Sequence, residues 1–345
     1  MSIMLYAIPV FFLLIGVELI VQRLQNMQLY YLDDALTNIS CGTIQQITGA
    51  FIKTFMFLGY LWLYDHVRLA TVPDTWWTYT LLFIGVDFCY YWFHRLAHEI
   101  SLFWGTHIVH HQSEEYNLSV ALRQSSIQKF VSTFFYLPLA VIGFNPVSYL
   151  IIETWQTLYQ FWIHTRAIKK MPAAFEYVFN TPAHHRVHHG VNPKYIDKNH
   201  GGTLIIFDRM FGTFQEEEEE VVYGVTKSTA SWNPLWVNFT YYKDLWKELS
   251  LATTVSDKLG MLFRKPGWRP SYLGGPFVIP EISANQQVKY RTVFSHLTSY
   301  YVLIHYALTF PLTILFMMRI GGGDWRRGST SSQFNTGYIC YLVTR

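Results

Sequence analysis

Charge is what this chain has least of. Asp, Glu, Lys and Arg together make up 14% of its 345 residues, against about 25% in an ordinary soluble domain, which argues against a soluble globular fold. Cysteine is nearly absent: Cys41, Cys89 and Cys340 stand far apart, with no Cys-x-x-Cys pair for zinc or redox work and no even-numbered disulfide framework. The net charge of +3 is small and the basic residues gather into no dense patch, so nucleic acid is excluded as a partner. Gly321-Gly322-Gly323 has neither the preceding strand nor the spacing of a dinucleotide loop, so any reductant must come from outside the chain. The first residues lack a basic region and a small-residue cleavage site, and Met1 to Gln22 therefore reads as a retained anchor. No internal repeat is present.

Apolar residues fill the space that charge leaves: 51% are hydrophobic and 18% aromatic. Crossing a bilayer takes about 20 apolar residues. Met1 to Gln22, Ile44 to Tyr64, Trp76 to Phe93 and Thr292 to Met318 approach that length, the last with Pro311 as an expected kink. Phe130 to Phe144 and Val147 to Ile163 flank Asn145-Pro146 and read as a hairpin of two spans or one re-entrant pair. Between Ile163 and Thr292, residues 164 to 291 hold 16 of the 26 basic residues, which places that stretch on the cytosolic side. The five carboxylates Glu216 to Glu220 within it read as a solvated loop. The expected organisation is N-terminal spans over 1–75, a catalytic domain over 76–291, a C-terminal span over 292–320 and a disordered tail over 321–345.

Histidine is the exception among polar residues. There are 14, and ten fall between positions 94 and 189. His94 and His98 stand at i and i+4, adjacent on one helical face. His107, His110 and His111, and again His185, His188 and His189, stand at i, i+3 and i+4. A single helical pair could be packing, but three such clusters would leave eight polar rings uncompensated near a bilayer unless something binds them. Neutral imidazole is the commonest protein metal ligand. A zinc-type site uses three or four ligands, so eight or more histidines supply two metals. Imidazole suits iron, zinc, copper and nickel alike. Two irons could activate dioxygen, and a membrane setting makes a lipid chain the natural substrate. A non-catalytic metal-binding protein or transporter is the reading from another class, although a transporter would add carboxylates along a pathway.

Several further residues are candidates by helical phase. Glu153, Gln156, Gln160 and His164 form a polar stripe, which makes His164 a ninth ligand with Gln160 supporting it. Asp87, seven residues before His94, faces the same side and would accept a ligand's ring N–H or else bond to Tyr90 or Tyr91. His184 falls outside the i, i+3, i+4 set and is expected to stand behind the ligands. Glu99 points about 100° from His98 and could meet a cofactor or pair with Arg95. His66, His200, His296 and His305 are isolated and read as structural.

With its three histidine boxes the chain resembles the fatty acid hydroxylase and sterol desaturase superfamily of integral-membrane di-iron enzymes, over roughly residues 30 to 290. Asn180-Thr181-Pro182 leads into the last box. Asn199-His200-Gly201, followed by Phe207-Asp208-Arg209-Met210-Phe211-Gly212-Thr213, resembles the superfamily's Asn-Tyr-Gly and Trp-Asp-x-x-Phe-Gly-Thr run, with His200 and Phe207 in place of the usual aromatics. Gly85 to Arg95, Glu115 to Ser119, Ala121 to Ser125, Tyr159 to Thr165 and Asp197-Lys198-Asn199 are similar to the subgroup that cleaves alkylglycerol ether lipids with tetrahydrobiopterin. From Gly323 the chain is polar where the family continues with apolar segments. The resemblance implies an all-α, polytopic integral-membrane bundle in the endoplasmic reticulum membrane, with a cytosol-facing di-metal site. It implies two Fe(2+) ions on His94, His98, His107, His110, His111, His164, His185, His188 and His189, with Glu99 and Asn117 as candidates for the pterin pocket. The implied reaction oxygenates the carbon next to the ether oxygen, and the hemiacetal collapses to a fatty aldehyde and a free glycerol hydroxyl. A sterol or sphingolipid hydroxylase or desaturase with a cytochrome-type donor shares the same boxes.

Overall fold

The computed structural model of the chain describes residues 3–282, 287–292 and 295–321. Every regular element among the described residues is helical, and the isolated bridges Phe179 with Leu204 and Gly190 with Tyr223 tie loops together. The architecture is all-α, as expected. The expected tail over 321–345 lies outside the described residues from position 322 on.

Three helices among the described residues are long and apolar enough to cross a membrane. These are α1 (Ile3–Leu24), α2 (Leu32–His66) and, at the other end of the chain, α12 (His296–Gly321). Glu18 of α1 is buried and accepts hydrogen bonds from Tyr30, Thr165 and the Leu118 N–H. Helix α2 starts twelve residues before the expected span, with Asp33 and Asp34 in its first turn, where carboxylates complement the helix dipole. Its first half buries polar residues such as Asn38 and Gln45, whereas Phe51, Phe55, Leu58 and Trp62 are exposed along one stripe of the second half. A separate compact unit contains α12, with Pro311 inside it; the unit Ala7–Thr292 contains all of the histidine clusters.

Helix α3 (Trp76–Glu99) starts at a reciprocal capping box between Thr75 and Thr78 and runs unbroken through His94 and His98. Extended backbone at Ile100 separates it from α4 (Ser101–His111), which carries His107, His110 and His111. A 3-10 turn over Leu118–Leu122 leads to α5 (Gln128–Ile142) and α6 (Pro146–Trp162). These two helices have 15 and 17 residues, or about 22 and 26 Å at 1.5 Å per residue. Both are shorter than the roughly 30 Å hydrocarbon core. Gly143 ends α5 in the left-handed region (φ 107°), and Asn145 caps α6, accepting from the Val147 N–H at 2.8 Å. Tyr60, Leu82, Val86, Tyr136, Leu139 and Tyr149 form the main apolar cluster between α2, α3, α5 and α6.

The remainder is short helices joined by loops: α7 (Ala173–Val178), α8 (Pro182–His188), α9 (Ile206–Met210), α10 (Thr240–Leu251) and α11 (Val255–Phe263). Four of the five glutamates of the acidic run are exposed, as expected of a solvated loop, and the run also anchors its surroundings. Glu217 holds Arg186 in a bidentate pair at 2.8 and 2.6 Å. The N–H groups of Glu218 and Glu219 donate to the Tyr195 hydroxyl, and Asn192 donates to Glu219. Arg186 also donates to the carbonyls of Thr165, Ile168 and Lys169. It thus ties α8 to the segment after α6.

Candidate metal centre

The histidines gather into two buried sets, and the boxes interleave between them. His94, His98, His107, His111 and His188 form the first, and His110, His164, His185 and His189 the second, with ligand atoms in each set within 4.8 Å of one another. Helical phase explains the division. Residues four apart share a face, so α4 turns His107 and His111 one way and His110 the other, and α8 with its C-cap does the same with His185 and His189 against His188. His164 lies in the turn just after α6, two residues past its last helical residue. The sets adjoin where His111 and His189 stack with centroids 4.3 Å apart.

The hydrogen bonds dictate which nitrogen faces inward. Nδ1 of His94 donates to the His200 carbonyl (2.7 Å), that of His107 to Gln128 Oε1 (3.0 Å) and that of His110 to the Arg123 carbonyl (2.9 Å). Likewise His164 Nδ1 donates to the Gln160 carbonyl (2.7 Å) and His188 Nδ1 to the Lys198 carbonyl (2.9 Å). A ring whose proton sits on Nδ1 presents a lone pair at Nε2. Yet His94 Nε2 stands 3.0 Å from His107 Nε2, and His110 Nε2 stands 3.2 Å from His164 Nε2. Two lone pairs face each other in each set with no proton between them.

Protonation does not relieve this conflict. Burial pushes His107 and His164 down to about 4, and burial with neighbouring imidazoles holds His110, His111, His185, His188 and His189 well below the ordinary value. A cation does relieve it. Two nitrogens at right angles about an ion with bonds of about 2.1 Å lie roughly 3.0 Å apart. The buried Nε2 atoms of His98, His188 and His189 have no hydrogen-bond partner in the protein, which suits them to ligate a metal. The residues present therefore fit two metal ions held entirely by imidazole.

The loop 197–204 supplies two of the supporting carbonyls and is itself caged. Asp197 (φ 57°) and Asn199 (φ 54°) occupy the left-handed region, which Asp and Asn tolerate better than most residues. Asp208 accepts from the N–H groups of His200 and Gly201, both at 2.7 Å, and Asn180 donates to the Gly201 carbonyl at 2.6 Å. Burial raises the Asp208 carboxyl to about 6, against the lowering effect of these hydrogen bonds. A Cβ on Gly202 would lie 2.8 Å from the Tyr90 ring and 2.9 Å from Asp87.

The structure gives each of the other residues singled out by sequence its own partners. Asp87 meets no ligand ring and neither tyrosine; it accepts from the Thr203 and Leu204 N–H groups, both at 2.8 Å, and so holds the loop behind His94. Gln160 supports His164 through its backbone, while its side chain lines a small polar cavity of about 20 Å³ with Gln128, Glu153 and Gln156. His184 packs its ring on Phe214 and gives its carbonyl to Asn199. Glu99 pairs with Arg95 at 3.2 Å, the plain ion pair. Asn117 caps the 3-10 turn, accepting from the Ser119 N–H and donating to the Leu29 carbonyl, so both ends of its amide are engaged within the fold. Sequence spacing missed Gln128, Arg123 and Asp208, and it dismissed His200, whose ring lies against the first set.

Fold and site together define a helical membrane protein with two buried, all-histidine sets that could each hold a metal ion. The family model for fatty acid hydroxylase matches residues 79–213, which contain both histidine sets. The human protein named alkylglycerol monooxygenase is 41% identical over 88% of this chain and 68% of its own length. The Xenopus tropicalis protein of that name is 41% identical over 80% of this chain and 62% of its own, and that of Caenorhabditis elegans 35% over 72% and 51%. The chain belongs to the alkylglycerol monooxygenase family. It spans about two thirds of the length of the vertebrate relatives it matches and about half that of the nematode one. No solved structure matches it.

Proposed function

We propose that this chain is a monooxygenase of the endoplasmic reticulum membrane that hydroxylates the carbon next to the ether oxygen of alkylglycerols. Its two histidine sets would hold two ferrous ions, and tetrahydrobiopterin would deliver the electrons. Family membership supports the reaction class. The observation that carries the metal reading is the pair of facing lone pairs, His94 with His107 and His110 with His164. Two ferrous ions bound there would supply reductive activation of dioxygen.

The chain's own residues do the rest. Nδ1 donation to the carbonyls of His200, Arg123, Gln160 and Lys198 and to Gln128 holds five of the nine rings as neutral Nε2 donors toward the centre. Burial of every ligand ring keeps bulk water from the site. Placement of the alkyl chain against the centre selects the C–H bond, so regiochemistry follows from orientation. Oxygen enters at the carbon next to the ether oxygen, and the resulting hemiacetal breaks into a fatty aldehyde and a free glycerol hydroxyl.

Microsomes containing the chain, given an alkylglycerol with and without tetrahydrobiopterin, provide the test. Aldehyde release that requires the pterin is expected. Release independent of pterin, or oxygenation of a sterol or sphingolipid with a cytochrome donor in its place, overturns the cofactor and substrate assignment. Purified protein is expected to carry about two irons per chain; a single zinc with no iron overturns the metal reading.

A further inference from the structure

The ring of His200 makes no hydrogen bond of ordinary geometry, although the Asp197 backbone acts on it. The residue is 0% exposed, and neither Nδ1 nor Nε2 makes such a bond. Leaving a buried polar group unsatisfied is destabilising, and imidazole has two such groups. The ring centroid lies 5.1 Å from that of His98 and 5.6 Å from those of His94 and His188. Ring pairs in contact within the first set lie between 4.3 and 6.4 Å apart. By centroid distance His200 lies beside three of the five members of that set, just outside the group whose ligand atoms all lie within 4.8 Å of one another.

The backbone that carries the ring is held in place. Asp208 takes the N–H of His200 itself and of Gly201, and the His200 carbonyl accepts from His94 Nδ1. One backbone unit thus supports a ligand of the first set while its side chain stands beside the same set. In the superfamily run that this segment resembles, the residue between Asn and Gly is tyrosine, whereas here it is an imidazole.

We propose that His200 is a sixth imidazole of the first set, binding the ion held by His94, His98, His107, His111 and His188. The inference rests on the two-metal reading above. It makes the centre unequal: six imidazoles surround one ion and four the other, so the ion of the second set is the one with positions open to exogenous ligands.

The test uses the full chain purified in detergent and loaded with Co(2+) as the probe, comparing wild type with His200→Tyr, which restores the superfamily's residue, and with His200→Gln, a smaller polar replacement. Metal per chain is followed during a chelator challenge, alongside the visible Co(2+) spectrum. Wild type is expected to hold two ions, one released slowly. Both variants are expected to release that ion about 10- to 100-fold faster, the range found when a group supporting a metal site is lost, and to show an altered spectrum. If wild type holds two ions and either folded variant matches it in release rate and spectrum, His200 is not a ligand and the two-metal reading stands. If wild type holds no metal, both readings fall together.

Discussion

At the scale of single residues, the centre is governed less by its histidines than by what stands behind them. Four of the five Nδ1 acceptors are backbone carbonyls, and only Gln128 is a side chain. That makes Gln128 the one support removable by substitution without moving the chain. Gln128→Leu leaves His107 free to rotate and to change tautomer, and metal affinity is expected to fall about 10- to 100-fold with the fold intact. Gln128→Glu keeps an acceptor and should restore most of the affinity. Chelator competition on the purified variants measures both, and equal affinity in all three proteins would show that His107 needs no such support. The same arrangement explains what could be read in the sequence. The clustered histidines were legible because i, i+3, i+4 spacing is a property of the residues themselves. Carbonyl acceptors carry no side-chain signature, and the one on His94 comes from a residue 106 positions away. His200 was dismissed because, with no second histidine at helical spacing, a lone imidazole is indistinguishable from a structural one.

At the scale of elements, helix boundaries followed apolar runs closely where the runs were uniform, as in α1 and α3. They departed where polar residues face a buried interior, as in the first half of α2. Which box serves which ion was not legible, because the boxes read as three sites whereas phase splits α4 and α8 between two. The α5–α6 hairpin depends on one residue. Gly143 has φ 107°, and a Cβ there would sit 1.7 Å from the Ala70 carbonyl oxygen. The adjoining hydrogen bonds, Leu69 N–H to Val141 and Val72 N–H to Gly143, fasten the loop before α3 to the same turn. Gly143→Ala therefore faces backbone strain of about 1–3 kcal/mol as well as the clash. A lowered unfolding temperature in detergent is expected, with metal content at equilibrium little changed because the turn lies outside both histidine sets. An unchanged unfolding temperature would mean that the hairpin closes by another route.

At the scale of the whole molecule, the metal centre and the fold share one energy balance. The fold buries histidines that are neutral within it: His107 and His164 are pushed down to about 4, His200 to about 3, and His110, His111, His185, His188 and His189 well below the ordinary value. In the unfolded chain the same groups titrate near 6.5. Above that pH neither state binds protons at these sites, and their contribution does not vary. Below it the unfolded chain takes up protons that the folded chain refuses, so stability falls as pH drops from about 6.5 towards 4. A bound ion stabilises the fold by mass action, about 2.7 kcal/mol at a free concentration 100 times Kd, and its removal also restores the facing lone pairs. Chelated protein should therefore unfold at a lower temperature than loaded protein at pH 7.5, and the difference should stay level as pH falls, because both forms share one unfolded state and neither folded form takes up protons, until protons compete for the histidines near pH 4. Unfolding temperatures of both forms across pH 7.5 to 4 provide the check. A metal-free form as stable at pH 4.5 as at pH 7.5 would show that the buried histidines are not held neutral by the fold.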